Sequence, residues 1–200
     1  MAKQDDPFDW SGGHPALDLV NTLDERPSYA PTENLAAYRD LVSFAEMAGL
    51  IGAPIAEKLK SLSGSECARI LRRTRDLREN LYAILTANHL RRPVEPASLD
   101  AIALEVRRAH AARTFTSTES SNIITHRWLS PTSPEVPLHA CALMVEGLLV
   151  SADHSRIRKC GAPDCEVYFI DTSKAHRRQW CSMQNCGNRE KQRRWRSGQE

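Results

Sequence analysis

Four cysteines in the last quarter of the chain have the type and spacing to hold a metal. Four residues separate Cys160 from Cys165, four separate Cys181 from Cys186, and fifteen lie between the pairs. Four thiolates on two short turns close a tetrahedral site, and zinc suits such a donor set. A site with four protein ligands has no open position for water, so one structural Zn2+ is the expected cofactor. Iron in a rubredoxin-like centre, a pair of disulfides or a redox switch are the competing chemistries, and His176 is a competing ligand. A reducing compartment favours metal over disulfide.

The second pair runs directly into Gly187-Asn188-Arg189-Glu190-Lys191-Gln192-Arg193-Arg194-Trp195-Arg196. As a helix this segment puts Arg189, Arg193 and Arg196 on one face, widened by Lys191 and Arg194. Trp195 is its only apolar residue. It therefore has no stripe to bury in a core, and it is too short to be stable alone. Anchored by a metal at Cys186, it suits contact with a polyanion. Residues 1–150 carry 16 Lys/Arg against 19 Asp/Glu, and residues 151–200 carry 11 against 6, which places the anion-seeking surface at this end. Arg177, Arg178, Arg189, Lys191, Arg193, Arg194 and Arg196 are the expected phosphate contacts, with Asn188 and Gln192 reading base edges. A solvated basic tail is the alternative.

The elements that must position these residues follow from periodicity. Pro15 opens a short helix through Leu23, with Asp18 and Asn21 on its polar side, although so short a segment also suits a strand. Thr32 is a candidate cap for a second helix reaching Gly49. Ile55–Leu62, Ser65–Leu90 and Ser98–Ala112 read as further helices. Residues 114–128 read as a hairpin turning near Glu119–Asn122. Leu138–Val150 is apolar nearly all round, a buried helix whose one charge is Glu146. Asp18, Asn21 and Glu146 are candidates for a ligand pocket, against the plainer roles of cap, core hydrogen-bonding group and structural ion pair. Arg69, Arg72, Arg73, Arg75 and Arg78 form a second basic row, read as a salt-bridged face or a second phosphate surface. Beyond Cys165, Val167–Ile170 reads as a strand, Asp171–Lys174 as a turn and His176–Trp180 as the return strand. The expected fold class is α+β, mostly α: a helical domain with a β-hairpin over 1–152, and a small zinc-finger module of knuckle, β-hairpin and helix over 153–200.

Other function classes find little support. The chain has no Gly-rich phosphate loop, no His-Glu-x-x-His and no nucleophile elbow, so an enzyme is not expected. No apolar run approaches the ~20 residues that cross a bilayer, and the N-terminal residues lack the apolar core of a signal peptide. A soluble, cytoplasmic protein without a membrane partner is expected.

The stretch Arg178-Gln-Trp-Cys181-Ser-Met-Gln-Asn-Cys186-Gly-Asn-Arg189-Glu-Lys191 resembles the CGNR zinc finger, whose tetrapeptide stands here at 186–189. Gly12-Gly-His-Pro-Ala-Leu-Asp-Leu-Val-Asn-Thr22 resembles the opening of the domain that accompanies this finger. Together they resemble a bacterial family of stress-induced transcription regulators. The resemblance implies that Cys160, Cys165, Cys181 and Cys186 are zinc ligands and that Arg189, Lys191, Arg193 and Arg194 contact DNA. It also implies that the larger domain senses or regulates. DNA, a small-molecule effector and a second copy of the chain are the expected partners. The alternatives are an RNA- or protein-binding zinc module, and a small-molecule-binding N-terminal domain with an accessory finger.

Overall fold

The structure is a computed structural model that describes residues 6–26, 28–117 and 123–198. In chain order, α1 (Pro15–Asn21) precedes the short strands β1 (Leu23–Asp24) and β2 (Thr32–Glu33). Helices α2 (Tyr38–Met47), α3 (Ala53–Lys60), α4 (Ser65–His89) and α5 (Pro96–Ala111) follow, then strands β3 (Arg113–Ser117) and β4 (Ile124–Trp128). Helix α6 (Val136–Val150) leads to β5 (Ile157–Lys159), β6 (Tyr168–Ile170) and α7 (Asn188–Arg196). The mostly helical α+β class expected from the sequence is the observed one, with three two-stranded antiparallel sheets among the described residues. By packing, the chain divides into two compact units: Leu35–Leu149, and Met1–Asn34 together with Val150–Glu200.

The helical unit is built on apolar faces at helical spacing. Ile70, Leu77, Leu81 and Ile84 of α4 are buried, as are Leu41, Val42, Phe44 and Ala45 of α2. The arginine row on α4 does not form an open phosphate surface. Arg73 donates to both Glu105 of α5 and Glu135, and Arg78 is buried with its Nε 2.9 Å from Glu79. Arg75 caps the carbonyl of Leu35 at 3.1 and 2.5 Å. That last contact explains a departure from expectation. Leu35 enters the core with its carbonyl held by Arg75, so the helix begins only after Ala37, whose N–H donates to Asp40. Thr32 pairs with Asp24 in β2 instead of capping α2.

In the hairpin, Arg113 faces Trp128 and Ser117 faces Ile124; the turn expected near Glu119–Asn122 lies outside the described residues. Helix α6 is buried from Val136 through Ala142 and opens toward its end, where Val150 is 82% exposed. Glu146 is half-exposed there and pairs with His110 at 2.8 Å. Burial pushes the Cys141 thiol up to about 12, as befits a core residue.

The other unit joins sequence segments from opposite ends of the chain. Pro15 occupies the first turn of α1, and His14 Nδ1 accepts the Ala16 N–H at 3.1 Å. Asn21, at the end of α1, clamps β6 with both halves of its amide. Its Nδ2 donates to the Tyr168 carbonyl and its Oδ1 accepts the Tyr168 N–H, each at 3.1 Å. Ile170 N–H donates to the Gly12 carbonyl at 2.8 Å. The Gly12 N–H in turn donates to the buried Asp18 carboxyl at 2.9 Å. A Cβ at Gly12 would sit 2.6 Å from that carboxyl oxygen and 2.8 Å from Leu17 Cβ, so only glycine permits the turn.

Candidate metal centre

Cys160 and Cys165 sit at the tip of a hairpin. Strand β5 runs into Cys160, the chain turns through Gly161–Asp164, and β6 returns antiparallel with Ile157 opposite Ile170 and Lys159 opposite Tyr168. Cys160 N–H closes the tip on Val167 O at 2.9 Å. The hairpin therefore spans the first cysteine pair instead of following it. His176–Trp180, expected as the return strand, is irregular. The buried Asp171 carboxylate gathers Ser173 N–H, Ser173 Oγ–H and Arg178 N–H, and this curls the chain where a strand would have continued. His176 lies in that curl with φ of 48°, its Nδ1 3.3 Å from the Asp171 carbonyl.

The second pair is held by a π-helical turn, Met183–Gly187, which starts α7. Ser182 Oγ accepts the Asn185 N–H, and Asn188 Nδ2 donates to the Gln184 carbonyl at 3.1 Å. Trp180 lies over the glycines that follow Cys160 and Cys186. A Cβ at Gly161 would come within 3.2 Å of its ring, and one at Gly187 within 3.2 Å as well. The indole thus braces both turns. Behind them Phe169 is fully buried with Cys160, Cys181 and Cys186. The Arg178 guanidinium stacks 4.5 Å over the Phe169 ring and donates to the carbonyls of Trp180 and Cys181.

This scaffold brings all four sulfurs within 4.8 Å of one another. Cys165 and Cys181 Sγ are 3.9 Å apart, and Cys181 and Cys186 Sγ 3.6 Å. Metal–sulfur bonds of about 2.3 Å place tetrahedral sulfurs about 3.8 Å apart, whereas a disulfide needs about 2.05 Å. The arrangement fits one shared ion and leaves all six cysteines free. Hydrogen bonds from Cys165 and Cys181 hold the Cys160 thiol far below the ordinary cysteine range, and bonding to Cys160 pushes the other two up. A bound cation lets all four ionise.

Beside the sulfurs lies an arrangement that spacing did not reveal. Arg189 Nη2 donates to Cys186 Sγ at 3.2 Å and pairs with Asp164 at 3.0 Å. Arg193 reaches the same Asp164 at 3.3 Å and Glu190 at 2.5 Å. The only advance signal of this clamp was an acidic residue directly before Cys165. Two of the arginines expected on phosphate therefore face the metal knuckle, and Arg178 is held within the fold. Arg177, Lys191, Gln192, Arg194 and Arg196 are exposed, and none makes a side-chain hydrogen bond or ion pair among the described residues. Around the helix, Asn188, Lys191, Arg194 and Trp195 share the side turned from Asp164. A cleft of about 590 Å³ on the knuckle side is lined by Asp9, Asp24, Glu25, Asp164, Glu166 and Arg189. Its excess of carboxylates marks the side that a polyanion would avoid.

Asp18 and Asn21, read as pocket candidates, bond to backbone in the unit that carries the metal centre, whereas Glu146 belongs to the helical unit. Burial pushes the Asp18 carboxyl up to about 7, against the lowering effect of the Gly12 N–H.

Two family models match the chain. One, described as "CGNR zinc finger", covers residues 156–198; the other, described as "Putative stress-induced transcription regulator", covers residues 13–151. No curated protein matches at a significant level.

Proposed function

The chain belongs to the family of stress-induced transcription regulators that carry a CGNR zinc finger, and from that premise we propose that it is a cytoplasmic, zinc-dependent regulator that binds DNA through α7. The zinc is structural: four cysteine ligands close its coordination, and no catalytic role follows from it. One observation carries the reading. A helix that starts beside Cys186 of the cysteine cluster presents Lys191 and Arg194 on the side turned from Asp164, with Arg196 in its last turn, none with an internal partner among the described residues, and Arg177 adds a fourth such cation. These residues take the phosphate backbone, with Gln192 and the free carbonyl oxygen of the Asn188 amide toward base edges. Arg178, Arg189 and Arg193 serve the fold of the finger.

A single short helix reads few bases, so we assign the regulatory task of the helical domain to pairing two copies on spaced half-sites, under the control of a small effector. Removal of the metal tests the core of the reading. The metal-loaded chain binds a labelled duplex, binding is lost on chelation, and it returns with one equivalent of Zn2+. Binding that survives complete loss of metal contradicts it.

A further inference from the structure

On the side of α7 turned from Asp164 lies a groove of about 410 Å³ whose walls include Trp180, Met183, Lys191, Arg194, Trp195 and the buried Glu190, whose charge is paired to Arg193. Trp195 is 82% exposed and Met183 64%, while Trp180 is half-buried against the two glycine turns. Lone exposed apolar side chains are ordinary on protein surfaces. Here two indoles and a thioether border one groove, together with two cations that have no internal partner among the described residues. Trp180 already braces the two turns, and phosphate contact explains the cations but leaves the exposed Trp195 unexplained, because a regular duplex offers phosphates at its surface and keeps its base faces stacked inside.

We infer that this groove takes an unstacked nucleobase, laid against Trp195 and the Trp180–Met183 wall, with Lys191 and Arg194 holding the phosphates on either side of it. Aromatic faces flanked by cations are how proteins hold unpaired bases, each base–aromatic stack strengthening binding by about tenfold. The volume lies within the range of sites that enclose small planar ligands. The metal gives the site its rigidity, since Trp180 braces both cysteine turns and α7 starts from Cys186. The preferred target is then a nucleic acid with an unpaired or extruded base; the inference rests on the nucleic-acid reading above and sharpens its substrate class.

The test measures binding of the full-length, zinc-loaded chain to three labelled probes of one sequence: a perfect duplex, the same duplex with a single-nucleotide bulge, and the single strand. The bulged duplex and the single strand are expected to bind about tenfold tighter than the perfect duplex. Trp195→Ala removes that advantage and leaves the perfect duplex within about twofold, while Trp195→Phe keeps most of it. Lys191→Ala with Arg194→Ala weakens all three, with zinc content confirming that each variant is folded. Equal binding to the three probes, or a Trp195→Ala variant that behaves as wild type, overturns the inference and leaves the DNA reading intact. Binding to none of them overturns both.

Discussion

Arg189 shows how one residue of the metal motif divides its work. Its guanidinium touches a sulfur of the four-cysteine cluster and a carboxylate of the opposite turn at once. Four thiolates around a divalent ion leave two excess negative charges, and the guanidinium offsets part of that charge while tying α7 to the first cysteine turn. Arg189→Ala is expected to weaken metal affinity by about 10–100-fold in a chelator competition, whereas Arg194→Ala changes it by less than about twofold. Equal metal retention in the two variants would return Arg189 to the surface role that the sequence suggested. Asp18 supplies the pH dependence. Its carboxyl titrates at about 7 in the fold against 3.8 for the ordinary group. Between those values the folded chain holds a proton that the unfolded chain has released, so this contribution to stability falls as pH rises through the window. Asp18→Asn removes it. Thermal melts at pH 4–8, read as wild type minus Asp18→Asn, isolate it from proton competition at the cysteines. The difference is expected to move against the wild type up to about pH 7 and then level off; a flat difference contradicts the assignment.

At the scale of elements, the finger is held from behind by the first helix of the chain. Asn21 satisfies both polar groups of the buried Tyr168 backbone, across 147 residues of sequence. Asn21→Ala removes both of these buried hydrogen bonds, which costs about 1–3 kcal/mol. A lowered urea midpoint for the metal-loaded protein at unchanged slope checks it. Long-range bonds of this kind mark where sequence reading stopped. The helices were legible because their apolar residues repeat at the helical period, as Ile70, Leu77, Leu81 and Ile84 do. The cysteines were legible because ligand type and short spacing are local properties. The alternation at His176–Trp180 predicts a return strand because nothing in it shows that Asp171 draws in Ser173 and Arg178. The periodicity starts the second helix too early because the hold of Arg75 on Leu35 is tertiary. The arginines of α7 were rightly placed on one helix, but the sequence does not say that Asp164 engages Arg189 and Arg193.

At the scale of the molecule, the basic end of the sequence divides its charge between two sides of one helix. The knuckle side carries the carboxylate-lined cleft and the arginines already paired to Asp164 and Glu190. The other carries Lys191, Arg194 and the exposed Trp195. A polyanion that meets α7 is therefore favoured on this side, and its use has a measurable signature. Each phosphate neutralised by a cation adds about 0.9 to the steepness of log affinity against log salt. The most direct measurement is duplex binding by the full-length, zinc-loaded chain between about 50 and 200 mM salt, for wild type and for Lys191→Ala with Arg194→Ala. The expected result is a wild-type slope of about −3 to −4, shallower by about 2 in the variant, with zinc retained in both. The same affinity and slope for wild type and variant, or binding indifferent to salt, would contradict the placement of nucleic acid on this face.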